Sequence, residues 1–99
     1  MSWIKWTEEE LKELTNFGAV FFTPTQCAIL LEKDAQALQA ELKDPEAPSY
    51  KAYQKGFLQS LYAVRKNTIE MAKNGSSPAQ TITEKLVKNY EYEQAVKTS

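Results

Sequence analysis

Histidine is missing from all 99 positions, and cysteine occurs only once, as Cys27. These two absences rule out much chemistry. An ordinary zinc site, a histidine-based triad and histidine acid–base catalysis all lack their parts. Carboxylates are the only plentiful catalytic type, and the densest group, Glu8-Glu9-Glu10, reads as a solvated helix start. No catalytic residue, metal or cofactor is therefore expected, and the chain is read as a non-enzyme. A lone cysteine also excludes an internal disulfide and fits a reducing, cytoplasmic compartment. Cys27 lies in the apolar run Cys27-Ala28-Ile29-Leu30-Leu31, where a buried small hydrophobe is the plainer reading. No apolar run approaches the length that crosses a bilayer, and Met1 to Trp6 lacks the apolar stretch of a secretory signal.

Glycine and proline are also scarce, at three and four residues, so each one works as punctuation. Thr7 with Glu10 forms a capping box for a first helix, and Trp6 and Leu11 occupy the two positions of a hydrophobic staple. Leu11, Leu14 and Phe17 continue its apolar side, and Gly18 weakens or bends its end. Thr23-Pro24-Thr25-Gln26 opens a second helix with a cap, a proline at the first position and a second capping box. Glu32-Lys33 breaks it. Asp34 is placed to cap a third helix, Ala35 to Lys43, whose buried side is Leu38 and Leu42. Two short helices joined by a tight turn are the unit that sets a second helix in the DNA major groove. That second helix is poor in positive charge, with Lys43 near its end and Glu41 beside it.

Asp44 to Ser49 contains two prolines and reads as a hinge, centred on residues 45–48. Ser49 is placed to cap a long helix reaching Lys73, a span of roughly 37 Å at the standard rise. Its main apolar row is Tyr50, Tyr53, Phe57, Leu61, Val64 and Met71, and Leu58, Tyr62, Ile69 and Ala72 widen the face. A helix apolar over that much of its circumference needs more cover than one neighbour supplies. Cover comes from the head folding back or from other copies of the chain. The second option makes Tyr53, Phe57, Leu61 and Val64 an oligomer interface. Gly56 in mid-helix permits a close helix crossing or a bend. Asn74-Gly75 ends the helix, and Ser77-Pro78-Ala79-Gln80 repeats the earlier capping pattern. The last helix has Ala79, Ile82, Leu86 and Tyr90 on one side, and its short connection makes it antiparallel to the long one. The fold expected is all-α and a single domain. Residues 7–44 form a three-helix head with a helix-turn-helix, and 49–96 form a long antiparallel helical hairpin.

The net charge of −1 conceals a split. Up to Pro48 four lysines face nine acids, a balance of −5, and from Ser49 eight bases face four acids, a balance of +4. Such a split serves head-to-tail contacts between copies, or draws a polyanion to the second half; it also fits simple solvation of two faces.

The order of these parts resembles the small subunit of tailed-phage terminases, in particular small helix-turn-helix versions of phage or prophage origin. The resemblance runs from about Thr7 to Leu86. It rests on Thr23-Pro24-Thr25-Gln26 with Ala28 and Leu31, and on Asp44-Pro45 ahead of Tyr50. It continues through Ala52-Tyr53-Gln54-Lys55-Gly56, Arg65-Lys66, and Ala72-Lys73-Asn74-Gly75-Ser76-Ser77-Pro78-Ala79. It implies a protein that recognises double-stranded DNA to initiate genome packaging, assembles as a homo-oligomer, and engages a large terminase subunit. It places the protein in the cytoplasm of a bacterium or of a phage-infected host. Carried over onto this chain, the DNA contacts are Gln36, Gln39 and Lys43 of the second short helix, with Lys33 in the turn. Glutamine reads adenine edges in the major groove, and serves equally as a solvent-facing helix former. Lys51 and Lys55, one turn apart past the hinge, are phosphate-contact candidates or a solvated face. The chain departs from the usual turn at Glu32, where glycine commonly follows the leucine. Two other readings stay open: a small helix-turn-helix transcriptional regulator, and a helical protein–protein adaptor without DNA binding.

Overall fold

The computed structural model describes residues 3–98, and among them all regular structure is helical. Five helices follow in order: α1 Glu8–Ala19, α2 Pro24–Leu31, α3 Ala35–Glu41, α4 Pro48–Lys73 and α5 Ser77–Thr98. Their starts follow local chemistry. The Thr7 hydroxyl accepts from the Glu10 N–H, and the Glu10 carboxylate accepts from the Thr7 N–H. Thr23 and Gln26 exchange the same pair of bonds, and Asp34 accepts from the Ala37 N–H. Two starts differ from the expectation. Pro48, rather than Ser49, opens α4, because the Ser49 hydroxyl is buried and donates to a side chain instead. Ahead of α5 it is the Ser76 hydroxyl that accepts from Ala79 N–H at 3.4 Å, so the cap lies one residue earlier than Ser77.

Three helix ends share one device. After α1, Phe21 N–H donates to Gly18 C=O and Phe22 N–H to Phe17 C=O. After α2, Glu32 N–H donates to Ile29 C=O and Lys33 N–H to Ala28 C=O. After α4, Gly75 N–H donates to Ala72 C=O and Ser76 N–H to Met71 C=O. Each is a Schellman motif, which requires a left-handed residue just past the helix. Gly75 supplies it at φ 95°, but Phe21 and Glu32 adopt φ 62° and 56° despite their β-carbons. The helix-turn-helix bend is thus made without the glycine such turns commonly carry.

The chain divides into two compact units, Met1–Leu61 and Tyr62–Ser99, and the division falls inside α4 rather than at residues 45–48. In the first unit Leu14, Cys27, Ala28, Leu31 and Leu38 form a closed core, flanked by Ile4, Trp6, Phe17, Phe22 and Tyr53. Here α1 crosses the first half of α4 at two glycines. A β-carbon on Gly18 would overlap the Tyr53 carbonyl oxygen, and one on Gly56 would overlap that of Thr15. Of the two options open for Gly56, the close crossing is the one observed. In the second unit α5 returns along the last turns of α4 as a hairpin, with the Gln80 amide donating to the Ala72 carbonyl at 3.0 Å.

Candidate nucleic-acid interface

The exposed side of α3 is built by its own periodicity. Leu38 and Glu41 are buried, which leaves Gln36, Gln39, Ala40 and, just beyond the helix, Lys43 facing solvent along one stripe. Gln39 has one amide hydrogen committed, donated to Thr25 Oγ1 on α2 at 3.0 Å. That bond ties the two helices of the motif together across their outer surface. Gln36 and Lys43 stand free of such ties.

Glu41, which in the sequence argues against a polyanion at this helix, does not share that face. It is only 6% exposed. Its carboxylate accepts three bonds: Ile4 N–H at 2.6 Å, Trp6 Nε1–H at 2.9 Å and Ser49 Oγ–H at 2.7 Å. One buried carboxylate thus fastens the segment before α1 and the first turn of α4 to the end of α3. A buried carboxylate is tolerated when its lone pairs are filled in this way. No local spacing in the sequence points to this clasp, since its partners lie up to 37 positions away.

Lys33 is withdrawn from the solvent-facing set. Its ammonium pairs with Glu10 at 2.8 Å and lies 5.4 Å from the centroid of the Trp6 ring. The Lys33 hydrogen bond, with help from the Thr7 backbone N–H, holds the Glu10 carboxyl below its ordinary value. The turn lysine therefore links α1 to the α2–α3 turn. Burial pushes the Cys27 thiol up, which suits an inert core residue.

Lys51 and Lys55 are exposed on α4 and line a groove of about 390 Å³ shared with α1. The groove is also lined by Glu8, Leu11, Lys12, Thr15 and Ala52, and by no residue of α3. Lys12 is the member that the sequence reading missed. Nothing in its local pattern, Leu11-Lys12-Glu13, singles it out, and only the α1–α4 crossing brings it to the other two.

The four candidate interface residues divide. Tyr53 donates its hydroxyl to the Phe22 carbonyl at 2.8 Å and stacks on Phe57, with ring centroids 6.2 Å apart. Burial raises its phenol above the ordinary value. Phe57 meets the edge of Phe21, and both Phe57 and Leu61 are half-buried. Val64 is exposed, and so are Tyr62, Met71, Ile82, Val87 and Tyr90 in the same unit. On the head, Ile29 and Leu30 are exposed on α2 and, with Phe22 and Gln26, line an apolar depression of about 280 Å³.

Among the described residues no group of histidine, cysteine or carboxylate side chains gathers as a metal site, and no helix is long and apolar enough to cross a membrane. No protein-family model, no curated protein and no solved structure matches the chain.

Proposed function

We propose that this chain is a double-stranded-DNA-binding protein that works as a homo-oligomer, in the manner of the terminase small subunits it resembles. In that role it marks DNA for the start of genome packaging and hands it to a large terminase subunit. The observation that carries the reading is the orientation of α3. Its outer stripe presents Gln36, Gln39 and Lys43, while its one carboxylate, Glu41, is turned inward and spent on the clasp. The negative charge written into that helix is thus removed from the face a groove would meet. Glutamines on such a stripe suit adenine edges, and a terminal lysine suits a phosphate. The exposed apolar residues of the hairpin, among them Tyr62, Val64, Ile82 and Tyr90, support assembly, because a partner that covered them would remove their apolar area from water.

Two observations keep a second reading alive. Ile29 is 71% exposed, and the depression beside it is apolar, which suits a protein partner rather than DNA. A helical adaptor would use that surface. A transcriptional regulator would use the same head as the packaging factor but assemble as a dimer.

Native mass spectrometry combined with fluorescence anisotropy on labelled duplex DNA separates the three. A ring that binds duplex supports the packaging role. A dimer that binds duplex points to regulation. A protein that ignores duplex even at low ionic strength leaves the adaptor.

A further inference from the structure

We infer that the groove between α1 and α4 is a second DNA contact, at which Lys12, Lys51 and Lys55 hold the phosphate backbone. The inference rests on the DNA-binding reading above and adds to it the surface that supplies affinity. Residues 1–61 contain six lysines against nine acids, so the unit that carries the helix-turn-helix is negative overall. Within it, Lys33 is consumed by Glu10, and α3 offers only Lys43. Half of the lysines of this unit line one groove, and among the described residues none of these three ammonium groups has a hydrogen-bond or ion-pair partner. A reading helix with one basic residue cannot by itself fix register on a duplex, because phosphate contacts do that work. Phosphate contacts have to come from elsewhere, and this groove is where the unit concentrates positive charge.

The geometry suits a strand of evenly spaced charges. Lys51 and Lys55 are one helical turn apart on α4, so they emerge from the same side. Lys12 approaches from α1, on the N-terminal side of the Gly18–Gly56 crossing that holds the two helices together. Leu11, Thr15 and Ala52 give the lysine methylenes an apolar bed, while their ammonium groups remain available to an anion. Lysine acts on phosphate as a point charge and needs no planar partner, which suits an interface without sequence preference. Glu8 is the one acid in the lining, so the local balance is still positive.

The test uses the full chain and a fluorescein-labelled duplex, with anisotropy followed between about 50 and 200 mM salt. Replacing Lys12, Lys51 and Lys55 together with alanine is expected to lower the slope of log K against log salt by about one per lysine. Binding at the low-salt end is expected to weaken more than tenfold, with helicity and assembled mass unchanged because all three side chains line an open surface groove. The corresponding triple arginine variant restores binding. Glu8→Gln, which removes the groove's one acid, tightens binding several-fold. If wild-type protein binds duplex and the triple alanine variant binds it with the same affinity and slope, this inference is overturned and the DNA reading stands. If the triple variant keeps duplex binding but loses binding to poly-L-glutamate, the groove takes an acidic protein segment, and the inference again fails. If wild-type protein binds no duplex at any salt, the DNA reading fails and takes this one with it.

Discussion

The head and the hairpin are both helical, yet they bury their apolar residues to opposite degrees. In residues 3–61, Leu14, Cys27, Ala28, Leu31 and Leu38 are closed off from solvent, with Ile4, Trp6, Phe17, Phe22 and Tyr53 packed against them. In residues 62–96 only Ala79 is buried, while Tyr90 is 65% exposed. The head therefore has its own hydrophobic driving force. The hairpin has little, since two helices meeting along one narrow seam remove little apolar area from water. A unit that folds by burying itself and one that leaves apolar side chains in water are suited to different tasks. The first presents a fixed surface, and the second gains stability by meeting another molecule.

Breaking the head is expected to give the largest effects. Gly56→Ala is the sharpest case because two influences act in opposite directions. Helix propensity alone would stabilise the protein by about 1 kcal/mol. The β-carbon, however, would overlap the Thr15 carbonyl and force α1 and α4 apart, at a cost of roughly 2–4 kcal/mol. A thermal melt should show a large drop in Tm, and a rise would mean that the crossing is looser than described. Glu41→Ala is expected to cost about 3 kcal/mol, since it orphans the Ile4 N–H and the Trp6 indole N–H. Trp6 sits at the clasp, so urea unfolding followed by tryptophan fluorescence reports on it directly.

The hairpin should respond in another currency, that of assembly. Replacing Val64 and Ile82 with glutamate puts charge at exposed positions, so head stability should change by less than about 0.5 kcal/mol. Light scattering should nevertheless show a lower assembled mass. Phe57→Glu is the matching control in the head: its ring packs on Tyr53 and Phe21, so loss of structure is expected instead. If the hairpin variant unfolds while Phe57→Glu merely dissociates, the contrast between the two regions is reversed.

Smaller effects refine the head. Glu32 holds a left-handed conformation that costs a residue with a β-carbon about 1 kcal/mol, so Glu32→Gly should stabilise by up to that amount. An unchanged or lower midpoint in denaturant would show that the glutamate compensates in some other way. The Glu10–Lys33 pair gives the weakest signal. Because its folded-state pKa is depressed, Glu10 adds stability above the ordinary carboxylate value and loses it as pH falls through the folded one. Lys33→Ala should therefore flatten the acid limb of stability against pH, leaving behaviour near neutrality close to that of other surface substitutions.

Much of the fold was legible in the sequence because its signals are local. Thr7-Glu10, Thr23-Gln26 and Asp34 announce helix starts within three residues, and Gly75 announces an end by its own freedom to turn left-handed. Apolar spacing likewise indicated which side of α3 is buried at Leu38. What the tertiary structure decided is every relation that spans distance along the chain. It turned Glu41 into a clasp for residues 37 and 35 positions earlier, and it took Lys33 out of the candidate DNA-contact set by setting Glu10 and Trp6 beside it. It made Phe21 and Glu32 adopt a conformation their side chains disfavour, because packing on both sides of each turn outweighs about 1 kcal/mol of local strain. It also brought Lys12 to Lys51 and Lys55 through two glycines whose value lies only in the backbone they let approach. Capping and periodicity act over one or two turns of helix, whereas charge and burial are settled by neighbours that only folding supplies.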